Sequence, residues 1–374
     1  MVVSDRLAMV RFLRPSFPPS ERIEHYFALA REHNWYSNGG PCLKLMAGRL
    51  EERVGCSAVP VCNGTAALMV AVRALSQASA AREVLVPSFT FAATVQAIVW
   101  NGLTPVFVDI DPSHWHMSAA GLRAALEARG DRTNMVVTCS ALGTPPPSYV
   151  RNQWEQACAE AGVPLLVDSA ACFGAKADDG APIGRQGNAE VVSFHITKPF
   201  GIGEGGAIFT ASETLADEMR QLTNFGFDEA KQPQTLWGLN AKLDELHAAV
   251  ALAVLETFDE QLALRRERAG AMFEALGPGF QLQEGFQFGT QQIASVLVPD
   301  PPARQRVLAS SAGHVELRTY YEPLHLAPAF CGLPRAGTLA VTEDIGSRVL
   351  SLPMATDLSD WEIEAVAEVL RRQI

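Results

Sequence analysis

VVSFHITKPFGIGEGGAIFT, residues 191–210, places one lysine, Lys198, between an apolar run (Val191, Val192, Phe194) and a glycine-rich turn that leads into a second apolar run, 207–210. The ammonium therefore stands at the end of a strand with a buried character, among aromatic and small residues. Desolvation disfavours the charged form of a lysine, and a neutral amine attacks a carbonyl to form a Schiff base. A covalently held carbonyl cofactor is the chemistry this placement suggests. Gly201, Gly203 and Gly206 also match the spacing of the dinucleotide fingerprint. That motif needs a helix after its glycines so that phosphate meets a helix N-terminus, whereas a strand-like AIFT follows here. The context argues against nicotinamide binding.

Upstream of the lysine the chain alternates between strand and helix signals. Strands are expected at 59–62, 84–86, 105–108, 135–139 and 164–167, and helices at 43–54, 63–75, 90–100, 118–128, 152–161 and 215–222. Short apolar strands alternating with helices imply an α/β fold with a mostly parallel central sheet covered on both faces. Ligands in such folds sit beyond the carboxyl ends of the strands. Residues 1–40 read as an N-terminal segment: prolines 15, 18 and 19, a helix 21–32 capped by Ser20, then a turn-rich entry loop containing Trp35, Tyr36 and Asn38. Residues 244–276 read as one or two long helices. A smaller α+β unit follows, with strands at 293–298 and 315–318 and helices at 304–310 and 359–372. The resulting division is 1–40, a large cofactor-binding domain 41–250, and a small C-terminal domain 251–374.

The bulk composition narrows the partners. A net charge of -11 argues against nucleic acid or an anionic membrane surface. Seven cysteines, odd in number and without a CxxC pair, read as reduced core residues of a cytoplasmic protein. No metal-ligand spacing is found, and His114 and His116 beside a DP turn read as part of a solvated loop.

Four features converge on pyridoxal phosphate, with pyridoxamine phosphate as its intermediate form. Lys198 is the aldehyde anchor. Asp168, closing the apolar run PLLVD, suits a protonated pyridine nitrogen, since a carboxylate there keeps the ring an electron sink. It equally suits a helix N-cap. Gly64, Thr65 and Ala66 at a helix start offer N–H groups and a hydroxyl to a phosphate, and Ser193 adds a second hydroxyl. Phe91 offers a ring to stack on a flat heterocycle, or a core aromatic.

In order and spacing these residues resemble the DegT group of sugar-nucleotide aminotransferases, fold-type I pyridoxal phosphate enzymes. The resemblance runs through NGTAAL at 63–68, VPSFTFAAT at 86–94, NGLTPVFVDID at 101–111, VDSAACFGA at 167–175, SFHITK at 193–198, NFGF at 224–227 and YYEPLH at 320–325. It implies a homodimer with shared active sites that passes the amino group of glutamate to a nucleotide-linked keto-6-deoxysugar, with a dTDP-4-keto-6-deoxyhexose favoured. It further implies that Asn224 reaches the phosphate from the neighbouring subunit, and that Asn38, Tyr321 and His325 lie near the nucleotide sugar. Asn224 also fits a helix C-cap, and Tyr321 and His325 fit packing of the small domain. Two places depart from the family pattern. Ala171 stands where members carry Gln or His, and CSALGTPPPSYV at 139–150 replaces a stretch bearing histidine and tyrosine. The alternatives are amination of a cyclitol ketone, or a pyridoxal phosphate-binding regulator without turnover.

Overall fold

Alternate residues of each central strand face opposite layers of helices, which is why the strands read as continuous apolar runs. The computed structural model describes residues 9–77 and 80–374; residues 1–8 of the N-terminal segment lie outside the described residues. In chain order, α1 (Ser20–Glu32) and α2 (Pro41–Val54) lead to β1 (Ser57–Val61) and α3 (Gly64–Leu75). Then come β2 (Glu83–Pro87), α4 (Ala92–Trp100), β3 (Thr104–Val108), α5 (Ala119–Arg129), β4 (Thr133–Cys139), α6 (Ser148–Ala161) and β5 (Leu165–Asp168). The lysine segment supplies β6 (Ala189–Ser193) and β7 (Gly206–Thr210), followed by α7 (Glu213–Thr223), α8 (Glu245–Leu255) and α9 (Phe258–Leu276). The chain ends with β8 (Ala294–Leu297), α10 (Pro301–Ser311), α11 (Ala340–Arg348), β9 (Val349–Leu352) and α12 (Asp360–Arg371).

The seven-stranded sheet has the order β1-β7-β6-β5-β4-β2-β3, and β7 alone runs against the other six. Val84 and Val86 face a core shared with α3, α4 and α7, whereas Leu85 between them faces α5 and α6. Under the β6–β7 end, Phe173, Phe194, Phe200, Phe209 and Phe258 pack as an aromatic cluster with ring centroids 4.8–6.1 Å apart. A separate cluster joins Val10, α9, α12 and the β8–β9 pair.

Several local expectations are corrected. Ser20 is the first residue of α1 and donates no cap; the N-cap is Pro19. The 315–318 segment makes only isolated bridges, Val10 to Val315 and Arg318 to Ser351. Its β8 partner is instead β9, a strand that the polar flanks of residues 349–352 hide from periodicity. His114 and His116 are buried and stacked 5.4 Å apart, with His116 Nε2 3.0 Å from the Thr144 carbonyl. Burial pushes the His116 imidazole down to about 3. The turn folds under the 139–150 segment, which supplies the apolar cover a solvated loop would lack.

Candidate active site

Sheet register gathers the site at one rim. Cys139 pairs with Asp168 and Asp168 with Val191, while Ser193 and Val61 both pair with Gly206. The carboxyl ends of β1, β4, β5 and β6 therefore open on the same side, as expected for ligand sites of open α/β sheets.

Lys198 sits in the loop between β6 and β7. Its N–H donates to the His195 carbonyl at 2.8 Å, and Ile196 N–H to the Gly203 carbonyl at 2.9 Å. Gly201 permits this fold-back, since a Cβ there would lie 2.6 Å from the Ile196 carbonyl oxygen. The Lys198 amine donates to Gln292 Oε1 at 3.4 Å. Burial lowers its proton affinity, opposed by the nearby Asp168 carboxylate.

Asp168 is buried, and burial pushes its carboxyl above the usual carboxylate range. Thr94 Oγ1 donates to Oδ2 at 2.6 Å and the Ala170 N–H to Oδ1 at 3.1 Å. The latter is a turn contact, and no helix follows, so Asp168 is not an N-cap. Thr94 belongs to the first turn of α4, whose N-cap residue is Phe91. One helix start thus supports the carboxylate and presents an aromatic ring that is 61% exposed.

Asn63 caps α3 by accepting from the Ala66 N–H at 2.8 Å. Ala66 therefore has no amide to spare, and only the Gly64 and Thr65 amides, at the head of the helix, remain without an intrahelical acceptor. A Cβ on Gly64 would stand 2.9 Å from Ser193 Cβ and 3.2 Å from its Oγ. Glycine is what lets α3 approach the end of β6 closely enough to form a cradle of two amides and a hydroxyl.

Other sequence candidates are placed differently. Tyr321 places its phenol near Asp168, Cys139 and Cys172, and burial pushes that phenol well up. His325 is buried with both ring nitrogens engaged, Nδ1 to Ser88 Oγ at 2.7 Å and Nε2 to Glu343 at 3.0 Å. Asn224 is the C-cap residue of α7. With Asn38, Arg220 and Lys242 it lines a cavity of about 320 Å³ that neither Lys198 nor Asp168 reaches. Thr94 and Gln292 escaped the sequence reading. Thr94 follows Phe91 by three residues inside the quoted 86–94 run. The Gln291–Gln292 pair precedes an apolar strand, a polar doublet where the pattern calls for core.

The residues present fit pyridoxal phosphate. Asp168 is a buried carboxylate with two neutral donors and no hydrogen-bonded cation, which suits a pyridinium N–H. The close approach of Gly64 to Ser193, which a Cβ would prevent, sets the two free amides of α3 beside the Ser193 hydroxyl, a donor set that suits a phosphate. When bound, the cofactor would be held by Lys198, Asp168, Phe91, Gly64, Thr65 and Ser193.

This sheet topology, with an amine and a buried carboxylate set at its carboxyl rim, defines the class: a pyridoxal phosphate-dependent aminotransferase. The family model described as the DegT/DnrJ/EryC1/StrS aminotransferase family matches residues 20–371, and the chain belongs to that family. It is 34% identical over 376 residues to Protein Rv3402c of Mycobacterium tuberculosis (strain ATCC 25618 / H37Rv), covering 97% of this chain and 89% of that protein. It is 29% identical over 371 residues to dTDP-4-amino-4,6-dideoxy-D-glucose transaminase of Shigella dysenteriae, covering 96% and 97%. The solved structure of DesI in the presence of its TDP-sugar product superposes with a TM-score of 0.86 at 35% identity, covering 96% of this chain and 91% of that one.

Proposed function

We propose that this aminotransferase moves the amino group of glutamate to a dTDP-linked 4-keto-6-deoxyhexose in the cytoplasm, for amino-sugar biosynthesis. The observation that carries the chemistry is the Lys198 amine at the same sheet rim as a buried Asp168 carboxylate whose hydrogen-bond donors are both neutral. The dTDP-sugar preference is supported by the likeness to DesI and to the Shigella transaminase. Bound pyridoxal phosphate supplies an aldehyde for amine exchange and a ring that absorbs the electron pair left at the α-carbon. With the cofactor bound, Lys198 would take up and return the proton of the glutamate α-carbon, and its lowered proton affinity suits it to act as a base. Asp168 holds the proton on the ring nitrogen. Phe91, exposed at the head of α4, would stack on one ring face and keep water from it. Gly64, Thr65 and Ser193 grip the phosphate, and Ala66 acts through the helix it helps cap.

Asn38 and Asn224 lie together, away from Lys198, so each serves a site only if a second copy of the chain brings that face over the first. A homodimer with shared sites follows from that reading. Tyr321, whose phenol faces Asp168, would meet the sugar from the carboxylate side, and His325 ties its loop to the end of β2 through Ser88.

Glutamate added alone should remove the cofactor's visible absorbance, and a keto sugar that accepts the amino group should then restore it. Unchanged absorbance overturns the aminotransfer reading for this chain. Recovery of the absorbance with UDP-linked 3-keto sugars but not with the dTDP-linked 4-keto sugar overturns the substrate reading.

A further inference from the structure

The segment that reaches the lysine from the β8 side is buried throughout: Thr290, Gln291 and Gln292 are 0%, 6% and 5% exposed. Thr290 pins it, donating from Oγ1 to the Ala171 carbonyl at 2.7 Å and from its N–H to the Gly143 carbonyl at 3.0 Å. Gly143 lies close beneath, where a Cβ would stand 3.0 Å from Thr290 Oγ1 and 3.6 Å from Ala171 Cβ. The small residues at 143 and 171 leave the room this segment takes. Gln292 Nε2 then donates to the Thr197 carbonyl at 3.2 Å, which fixes the orientation of the amide. Its oxygen is left facing the neighbouring Lys198 Nζ at 3.4 Å.

We propose that Gln292 is a positioning residue: its side-chain carbonyl receives the Lys198 amine whenever that amine has no covalent partner, and holds it, with the proton it takes up, at the rim. An ammonium has only donors and a carbonyl oxygen only accepts, so this contact favours the protonated amine. The Thr197 contact prevents the amide from turning its own N–H groups toward the lysine. Asp168 at the end of β5, Cys172 in the turn after it and Cys139 at the end of β4 also face the amine. Tyr321 faces Asp168 and Cys139 from the other side. Among these Gln292 is the group that touches Nζ.

The inference rests on the aminotransferase reading for its purpose, but its test does not. The full chain, freed of cofactor, is labelled with an amine-acylating reagent across a pH series, and the Lys198 peptide is quantified by mass spectrometry. Gln292→Leu removes the acceptor and should move the labelling midpoint down by about one pH unit; Gln292→Glu adds a charge and should move it up by about one unit or more. A merely structural role would disturb both variants in the same direction. Gln292→Met, closer in volume, stands in if the leucine variant does not fold, and the same downward shift is expected. Midpoints that stay at the wild-type value in folded variants, or that move together, overturn the proposal even if glutamate converts the cofactor normally. Opposite shifts sustain it even if glutamate has no effect.

Discussion

Burial pushes the Asp168 carboxyl above its ordinary value of 3.8, so the folded chain binds a proton there over a range in which the unfolded chain does not. The penalty is absent below 3.8, grows as pH rises toward the folded-state value, and is constant above it. Asp168→Asn keeps one carbonyl oxygen for the Ala170 N–H and turns an amide N–H toward Thr94 Oγ1, whose hydroxyl can rotate to accept it, and it carries no charge. The cofactor-free variant should therefore be more stable than the parent at pH 8, with the gain shrinking toward pH 4, as followed by denaturant unfolding. The same variant should lose turnover by about 10²–10³-fold, because a neutral amide does not hold the ring cationic. A cofactor-free variant less stable than the parent at pH 8 would show that the carboxylate is not under strain.

At the scale of elements, the site depends on how closely α3 meets β6 and how β6 is pinned from below. Gly64→Ala places a methyl 2.9 Å from Ser193 Cβ. Overpacking of that kind costs about 1–3 kcal/mol, and here it falls on the phosphate cradle. Cofactor affinity measured by equilibrium dialysis should fall about ten-fold or more, with little change in the helical signal. Beneath the rim Glu190 of β6 is fully buried and accepts from Ser169 Oγ, from the Gly184 N–H at 2.6 Å, and from the Gln186 N–H and side chain at 3.1 and 3.0 Å. Ser169 in turn contacts Ser140 at 2.8 Å, tying β4, β5 and β6 together. Glu190→Ala orphans several buried donors and should cost about 3–5 kcal/mol in chemical denaturation.

For the whole molecule the question is where the second half of each site comes from. Asn38 and Asn224 share a cavity remote from Lys198 within one chain. If copies pair isologously, Lys198→Ala and Asn224→Ala lesions fall in the same site of a mixed dimer and leave the other intact. Two poorly active variants, unfolded together and refolded, should regain about a quarter of parental activity. Recovery no greater than the sum of the separate variants would place Asn224 outside the partner's site.

Much of this was legible in the chain itself. The alternation of short apolar strands with helices fixes a mostly parallel sheet, because both faces must be covered. The lysine before a glycine-rich turn and the aspartate ending PLLVD mark the chemistry, because strand ends are where such residues can meet a ligand. What the residues alone left open was resolved by packing. Asn63 takes the Ala66 amide, both His325 nitrogens are bound by side chains 237 and 18 residues away, and Gln292 reaches Lys198 across 94 positions. Such pairings depend on which loops are brought together at the sheet rim, and periodicity reports only which face of its own element a residue occupies. The strand 349–352 escaped for the same reason: its partner, β8, lies about fifty residues away, and the turn-like residues around it carry no local pattern.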